Sequence, residues 1–206
     1  MSTLYTDNIR ANNASQITVP TGQKIVGTDS GSIVAPGHVI QTLQDTYDTA
    51  TSTTSAAHTT IMTVNITPKF STSKILVSTQ LWLWHRNYYT GYAGIFRDST
   101  EITTGTDTSN NDGNFASPTP YKGSGIGVRT AESGSNNSAS TNWAPFPFSH
   151  MILDSPSTTS QIAYTVKIWT NDGNLGPNHP LYVNRATGNT NSPRPICTLT
   201  CQEIAQ

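Results

Sequence analysis

Charge is scarce in this sequence. Lys, Arg, Asp and Glu make up 11 % of its 206 residues and nearly cancel, leaving a net charge of −1. A nucleic-acid surface needs Lys and Arg gathered on one face, so no nucleic-acid partner is expected. Long apolar runs are missing too. Nothing approaches the ~20 consecutive apolar residues of a spanning helix, and the opening MSTLYTDNIR lacks the basic-then-apolar order of a secretory signal. No membrane insertion is expected. Cysteine occurs only at positions 197 and 201. In a strand those Cα atoms stand roughly 13 Å apart, beyond disulfide reach, and no His pair stands near them to complete a zinc set. Buried, reduced thiols are the expected state, in keeping with assembly in a cytoplasm. No segment holds a helical apolar period over three turns.

What is abundant points the other way. Thr is the commonest residue, with Ser, Asn and Gly close behind. Thr and β-branched residues in short runs favour strands, while Asn, Gly, Ser and Pro favour the turns between them. The expected class is all-β. The length fits one ordinary domain plus an extension, or two very small domains.

The extension is legible at the N-terminus. In ITVPTGQKIVGTDSGSIVAPGHVIQ (17–41), Ile17, Ile25 and Ile33 recur every eight residues, Val26 and Val34 follow two of them, and Pro20–Gly22, Gly27–Gly31 and Pro36–Gly37 fill the gaps. Each unit is a β-branched run too short for a self-sufficient sheet, followed by a turn. Short fixed periods build a core by stacking one unit on another. Fixing a backbone residue costs about 1–2 kcal/mol, and the few Ile and Val side chains here do not offset that for the whole stretch. The arm therefore needs other surfaces, and sister copies supply them most simply. Residues 1–37 are read as an anchoring arm and intertwined, three-fold stalk, with 38–206 as a β-sandwich head. An arm lying along its own head or staying mobile is the alternative. Within residues 1–16, Leu4, Tyr5 and Ile9 are the sizeable apolar side chains suited to anchoring.

Further along, alternation marks the strands. In SKILVSTQLWLWHR, Ile75, Val77, Thr79, Leu81, Leu83 and His85 share one face; Leu76, Ser78, Gln80, Trp82, Trp84 and Arg86 share the other. The first set suits a sandwich interior. Trp82 and Trp84 are assigned to a subunit contact, against the alternative of a second layer of the same core. Residues 44–59 read as an edge strand or a loop. YAGIFRDSTEI is a strand with a turn at Asp98–Ser99, and 104–142 is a Gly/Ser/Asn/Thr region with one weak strand near Lys122–Thr130. Pro145 and Pro147 send their missing donors to one side, which confines that strand to a sheet edge. Ile162, Tyr164, Val166 and Ile168 face inward, leaving Lys167 and Trp169 outward. Cys197, Leu199 and Cys201 also face inward. Some eight to ten strands suit an antiparallel two-sheet sandwich of jelly-roll type.

Catalytic motifs are absent. There is no G-x-S-x-G elbow and no H-E-x-x-H. Gly123–Gly127 lacks the spacing of a dinucleotide fingerprint. Asp107–Gly113 faintly resembles a calcium loop, but its glycine is displaced and Pro118 stands where the acidic twelfth ligand belongs. His85 and His150 are read as structural, and Asp98, Glu101 and Asp154 as turn residues. No cofactor, metal or catalytic residue is assigned. Receptor or glycan contact is assigned to Tyr88, Tyr89, Asn110, Asp112, Asn114, Trp143, Asp172 and Asn174, with Tyr92 and Trp169 as further stacking faces. Solvated turns beside ordinary core aromatics are the competing description.

Several phrases resemble a known group. MSTLYTDNIR and the 17–41 stretch, then ITPKFSTSKILV, IFRDSTEI, FSHMILDSP and TLTCQEIA, are similar to structural proteins of marine tailed phages, cyanophages especially. The likeness touches most of the chain except residues 104–142. It differs at Cys197 and Cys201, where aliphatic residues or Thr are expected. The resemblance implies a non-enzymatic virion protein, with an attachment arm and a β-sandwich head. The first expectation is a trimeric tail fibre, docked on tail or capsid proteins through residues 1–16, whose head loops contact host polysaccharide or protein. The alternatives are a capsid decoration or head-fibre protein and, third, a polysaccharide-cleaving enzyme, whose paired carboxylates nothing in the sequence points to.

Overall fold

Alternation becomes burial in the computed structural model, which describes residues 19–27, 29, 32–85, 90–103, 126–129, 145–170, 180–185 and 194–206. The longest strand, β4 (Lys74–His85), buries Ile75, Val77, Thr79, Leu81 and Leu83 and turns Leu76, Ser78, Gln80 and Trp82 to the other face. The other strands are β1 (Val39–Tyr47), β2 (Thr51–Thr53), β3 (Thr59–Ile66), β5 (Thr90–Arg97), β6 (Thr100–Glu101), β7 (Ile126–Arg129), β8 (Phe146–Asp154), β9 (Ile162–Thr170), β10 (Leu181–Val183) and β11 (Cys197–Ile204). No helix occurs among the described residues. The all-β expectation stands.

Among the described residues every strand pair is antiparallel, and the strands form a six-stranded and a five-stranded sheet. Setting aside the short β2, β6 and β10, one sheet runs β1-β11-β4-β8 and the other β3-β9-β5-β7. Chain neighbours thus lie mostly in opposite sheets, and the first and last strands pair side by side. This is jelly-roll connectivity. On one side of β4, β11 pairs with its first half and β10 with its end; β8 takes the opposite side. Among the described residues β8 pairs with β4 alone, which places Pro147 on an edge strand as its missing donor requires.

The inner faces meet in a single cluster that includes Ile66, Val77, Leu81, Ile95, Tyr164, Val166, Ile168, Leu199, Cys197 and Cys201. Phe148 and Ile152 of β8 pack against it. Two polar ties join the layers along one side: Asp45 Oδ2 accepts from Thr63 N at 2.8 Å, and Gln41 Nε2 donates to Thr67 O at 2.8 Å. The chain divides into two units, Met1–Ile33 and Val34–Gln206. The second begins slightly before residue 38 because its first turn belongs to it. Gly37 N donates to Ala205 O at 2.8 Å and Ala205 N to His38 O at 2.9 Å.

Candidate functional site

Turns and short runs shape the described part of the arm. Gln23 N donates to Pro20 O at 3.0 Å, and Gly22 takes φ +82°, the left-handed value that a type II turn needs at this place. Asp29 and Ser32 close a second turn: Ser32 N and Ser32 Oγ both donate to Asp29 O, at 3.1 and 2.7 Å. A third turn, Ala35–His38, repeats the first one's geometry with Gly37 at φ +84°. Between the turns no strand forms among the described residues of 19–37. The β-branched side chains there are open to solvent. Ile25 and Val26 are each 69 % exposed, and Val19, Ile33 and Val34 are exposed as well. Ile17, Leu4, Tyr5 and Ile9 lie outside the described residues.

The tryptophans assigned to a subunit contact find cover within the chain. Trp84 is buried, its ring 5.3 Å from that of its register partner Tyr182, over which the Arg185 guanidinium sits at 5.0 Å. Trp82 is half-buried and packs against the core cluster. The second-layer alternative describes Trp84 better, because β10 places Tyr182 directly beside it.

Trp169 does point outward, yet it offers no open stacking face. It is 4 % exposed, stacked on Tyr92 at 5.7 Å and 15°, and flanked by His58 and Phe96. The segment before β3 brings His58 there, held by the bond from Thr170 N to Ser55 O at 3.0 Å. Lys167 lies over Phe96 at 4.2 Å. This outer face of the β9–β5 sheet is thus a small second core rather than a sugar platform. Tyr88, Tyr89, Asn110, Asp112, Asn114, Trp143, Asp172 and Asn174 lie outside the described residues, as do Asp107–Gly113 and Gly123–Gly125. Among the described residues no three His, Cys, Asp or Glu gather as metal ligands do.

Three polar networks among the described residues escaped the sequence reading. Asp154, ending β8 rather than capping a turn, accepts both oxygens' bonds from Arg97 Nη1 at 2.9 Å and one from the Tyr164 hydroxyl at 2.6 Å. It ties β8 to the opposite sheet. Burial, then the bond to Asp154, pushes the Tyr164 hydroxyl far above its ordinary pKa. Glu203, fully buried, accepts from Lys69 N at 2.7 Å, Phe70 N at 3.3 Å and Gln41 Nε2 at 2.7 Å, so one carboxylate fixes the turn before β4. Asn184, at φ +58°, donates to Tyr47 O at 2.6 Å and accepts from the Cys197 thiol at 2.9 Å. Cys197 and Cys201 are buried and free, as expected. Desolvation raises their pKa values to about 11 and about 12, a bond from Trp82 N moderating the first. Such thiols are poor nucleophiles, and their place is structural.

A hollow of about 400 Å³ opens at β4, β8 and β11, lined by Ser78, Thr79, Gln80, Ser149, His150, Met151 and Thr198. The alternation had already put Ser78 and Gln80 between Leu76 and Trp82 on the outer face. Nothing in the sequence alone showed that Ser149 and Thr198 would flank Gln80 in register.

No protein-family model matches this chain, and no curated protein does. Among solved structures it is similar to the VP2 subviral particle of infectious bursal disease virus, at 16 % identity and a TM-score of 0.36, covering 89 % of this chain and 42 % of that one. The structure of the Gt strain of the same virus gives 15 %, 0.35, 89 % and 43 %. The chain spans less than half the length of these structures. Overlaps this loose carry no argument about function.

Proposed function

We propose that this chain is a structural protein of a virion, with no catalytic role, that self-associates through its N-terminal arm. The observation that carries the reading is the exposure of Ile25 and Val26, 69 % each, on an arm divided by turns and separate from the unit that holds the core. Val19, Ile25, Val26, Ile33 and Val34 together offer a partner apolar area that the arm does not bury itself. The jelly-roll connectivity of the head is one that viral capsid and lectin domains use. The sequence phrases similar to marine tailed-phage structural proteins supply the virion context. In its finer form the reading is a homotrimeric fibre: residues 1–16 dock on tail or capsid proteins, the arms braid into a stalk, and the head contacts the host surface.

Mass photometry of the full chain tests the assembly. A trimer is expected, with Ile25→Ser and Val26→Ser together shifting it towards monomer by about tenfold or more in dissociation constant. A monodisperse monomer for the unaltered chain would defeat the reading. Imaging of particles carrying a labelled head then separates a tail fibre from a capsid-borne projection.

A further inference from the structure

The hollow on the outer face of β4 and β8 has chemistry of its own. Its floor is a register row in which Gln80 lies between Thr198 and Ser149, next to a row holding Ser78 beside Met151. Ser78 and Ser149 are short, whereas Leu76, Trp82, Met151 and Leu153 around them are tall; the depression follows from that difference in height. Met151 is 66 % exposed at its rim, and Trp82 follows Gln80 one pleat along the same face. Thr79 and its register partner His150 also line the hollow, though the alternation of β4 and β8 turns their side chains to the face opposite Gln80 and Ser149. No Lys, Arg, Asp or Glu lines it.

The side chains of Ser78, Gln80, Ser149 and Thr198 have no hydrogen-bond partner among the described residues. Hydroxyls and a carboxamide both donate and accept, so the floor matches a ligand that does the same at several adjacent points. Without Lys or Arg it cannot neutralise a phosphate or sulfate, and without Asp or Glu it cannot hold a cation. A neutral polyol with alternating hydroxyl and C–H faces meets both the polar floor and the exposed Met151 side chain at the rim. We infer that this hollow is a binding site for an uncharged sugar unit of a glycan. The inference deepens the host-contact part of the proposed function by naming the ligand class and moving it from the loops to a sheet face. A site so open holds a single unit weakly, with a dissociation constant on the order of 1 mM, and repetition on an oligomer supplies avidity.

Saturation-transfer NMR on the full-length protein provides the test, using maltotriose, cellotriose, mannotriose and chitotriose as probes. Transfer to at least one trisaccharide is expected, weakened about tenfold by Gln80→Ala and abolished by Ser149→Trp, which fills the depression from an exposed position. Both variants keep the melting temperature and oligomeric state of the parent. Absence of transfer from all four sugars overturns the inference, and so does transfer that survives both substitutions. Dissociation of the oligomer by Ser149→Trp overturns it as well, because the hollow would then be a subunit contact. Loss of the sugar result with an intact oligomer leaves the arm-driven assembly standing, so the two readings fail separately.

Discussion

Ile25 and Ile75 are the same residue in similar β-branched runs, yet one is 69 % exposed and the other fully buried. Their neighbours make the difference. Ile75 opens an alternation long enough to pair with β11 and β8 and to face a second sheet. Ile25 and Val26 stand between turns, in a run too short to form a ladder among the described residues. A strand hides its side chains only when length, pairing and a covering layer coincide. Side chains of the same hydrophobicity are therefore covered in one unit and left in solvent in the other.

The strongest way to break that contrast is truncation at both sites. Ile75→Ala should cost the head about 2–5 kcal/mol in denaturant titrations, as large-to-small changes in a packed core do. Ile25→Ala, measured where the chain is dissociated, should stay within about 0.5 kcal/mol. Equal losses would put Ile25 in a core of its own and end the comparison.

Carboxylates divide in the same way. Asp154 joins the two sheets through Arg97 and Tyr164, whereas the Asp29 turn uses that residue's backbone N and O. Asp154→Asn removes the charge from a half-buried pair and should cost about 2–3 kcal/mol, read as a lower melting temperature. Asp29→Asn should leave the melting curve unmoved. A neutral Asp154→Asn would mean that this tie adds nothing to the apolar packing and to the Asp45 and Gln41 ties between the sheets.

Alkaline titration sharpens the contrast further, since both cysteines belong to the head. Their folded pKa values, about 11 and about 12, lie above the ordinary thiol value of 9.0. The unfolded thiols ionise first, so stability is complete below about pH 9 and falls until the folded thiols titrate near pH 11–12. The slope is about 1.4 kcal/mol per pH unit for each thiol within that window, and the raised Tyr164 hydroxyl acts with the same sign. Cys201→Val should flatten the decline of denaturant midpoints between pH 9 and 11. An unchanged slope would assign it to other groups.

Much of the head was legible because β4, β8, β9 and β11 carry period-2 patterns that only one face can satisfy. The edge position of β8 followed from Pro147, and the turn at Asp98 from its residue type. The arm's turns followed from Pro20, Gly22, Pro36 and Gly37. Long-range partners were not legible. Asp154 meets Arg97 only when β8 and β5 face each other across the two sheets, and Glu203 meets Lys69 N and Trp84 meets Tyr182 only when β11 and β10 pair with β4; no local pattern encodes those pairings. Trp169 was placed on the correct face, but its cover comes from His58, far away in sequence. The hollow depends on side-chain heights in adjacent strands and so appears only with the register.

The finest probe uses one geometry that occurs in both units. Gly22 and Gly37 share φ values of +82° and +84°, and an added Cβ would meet nothing within 4 Å at either. Alanine there adds no clash, only the left-handed backbone cost of about 1–2 kcal/mol. Gly37 is tied to the last strand through Ala205, so Gly37→Ala should lower head stability by about 1 kcal/mol. Gly22→Ala strains a turn of the arm and should leave the head's unfolding midpoint in place while weakening self-association a few-fold. Unfolding and mass photometry on the same two variants separate the outcomes. If Gly22→Ala lowers the head's midpoint as much as Gly37→Ala does, arm and head unfold as one cooperative body, and the exposed Ile25 then needs a different explanation.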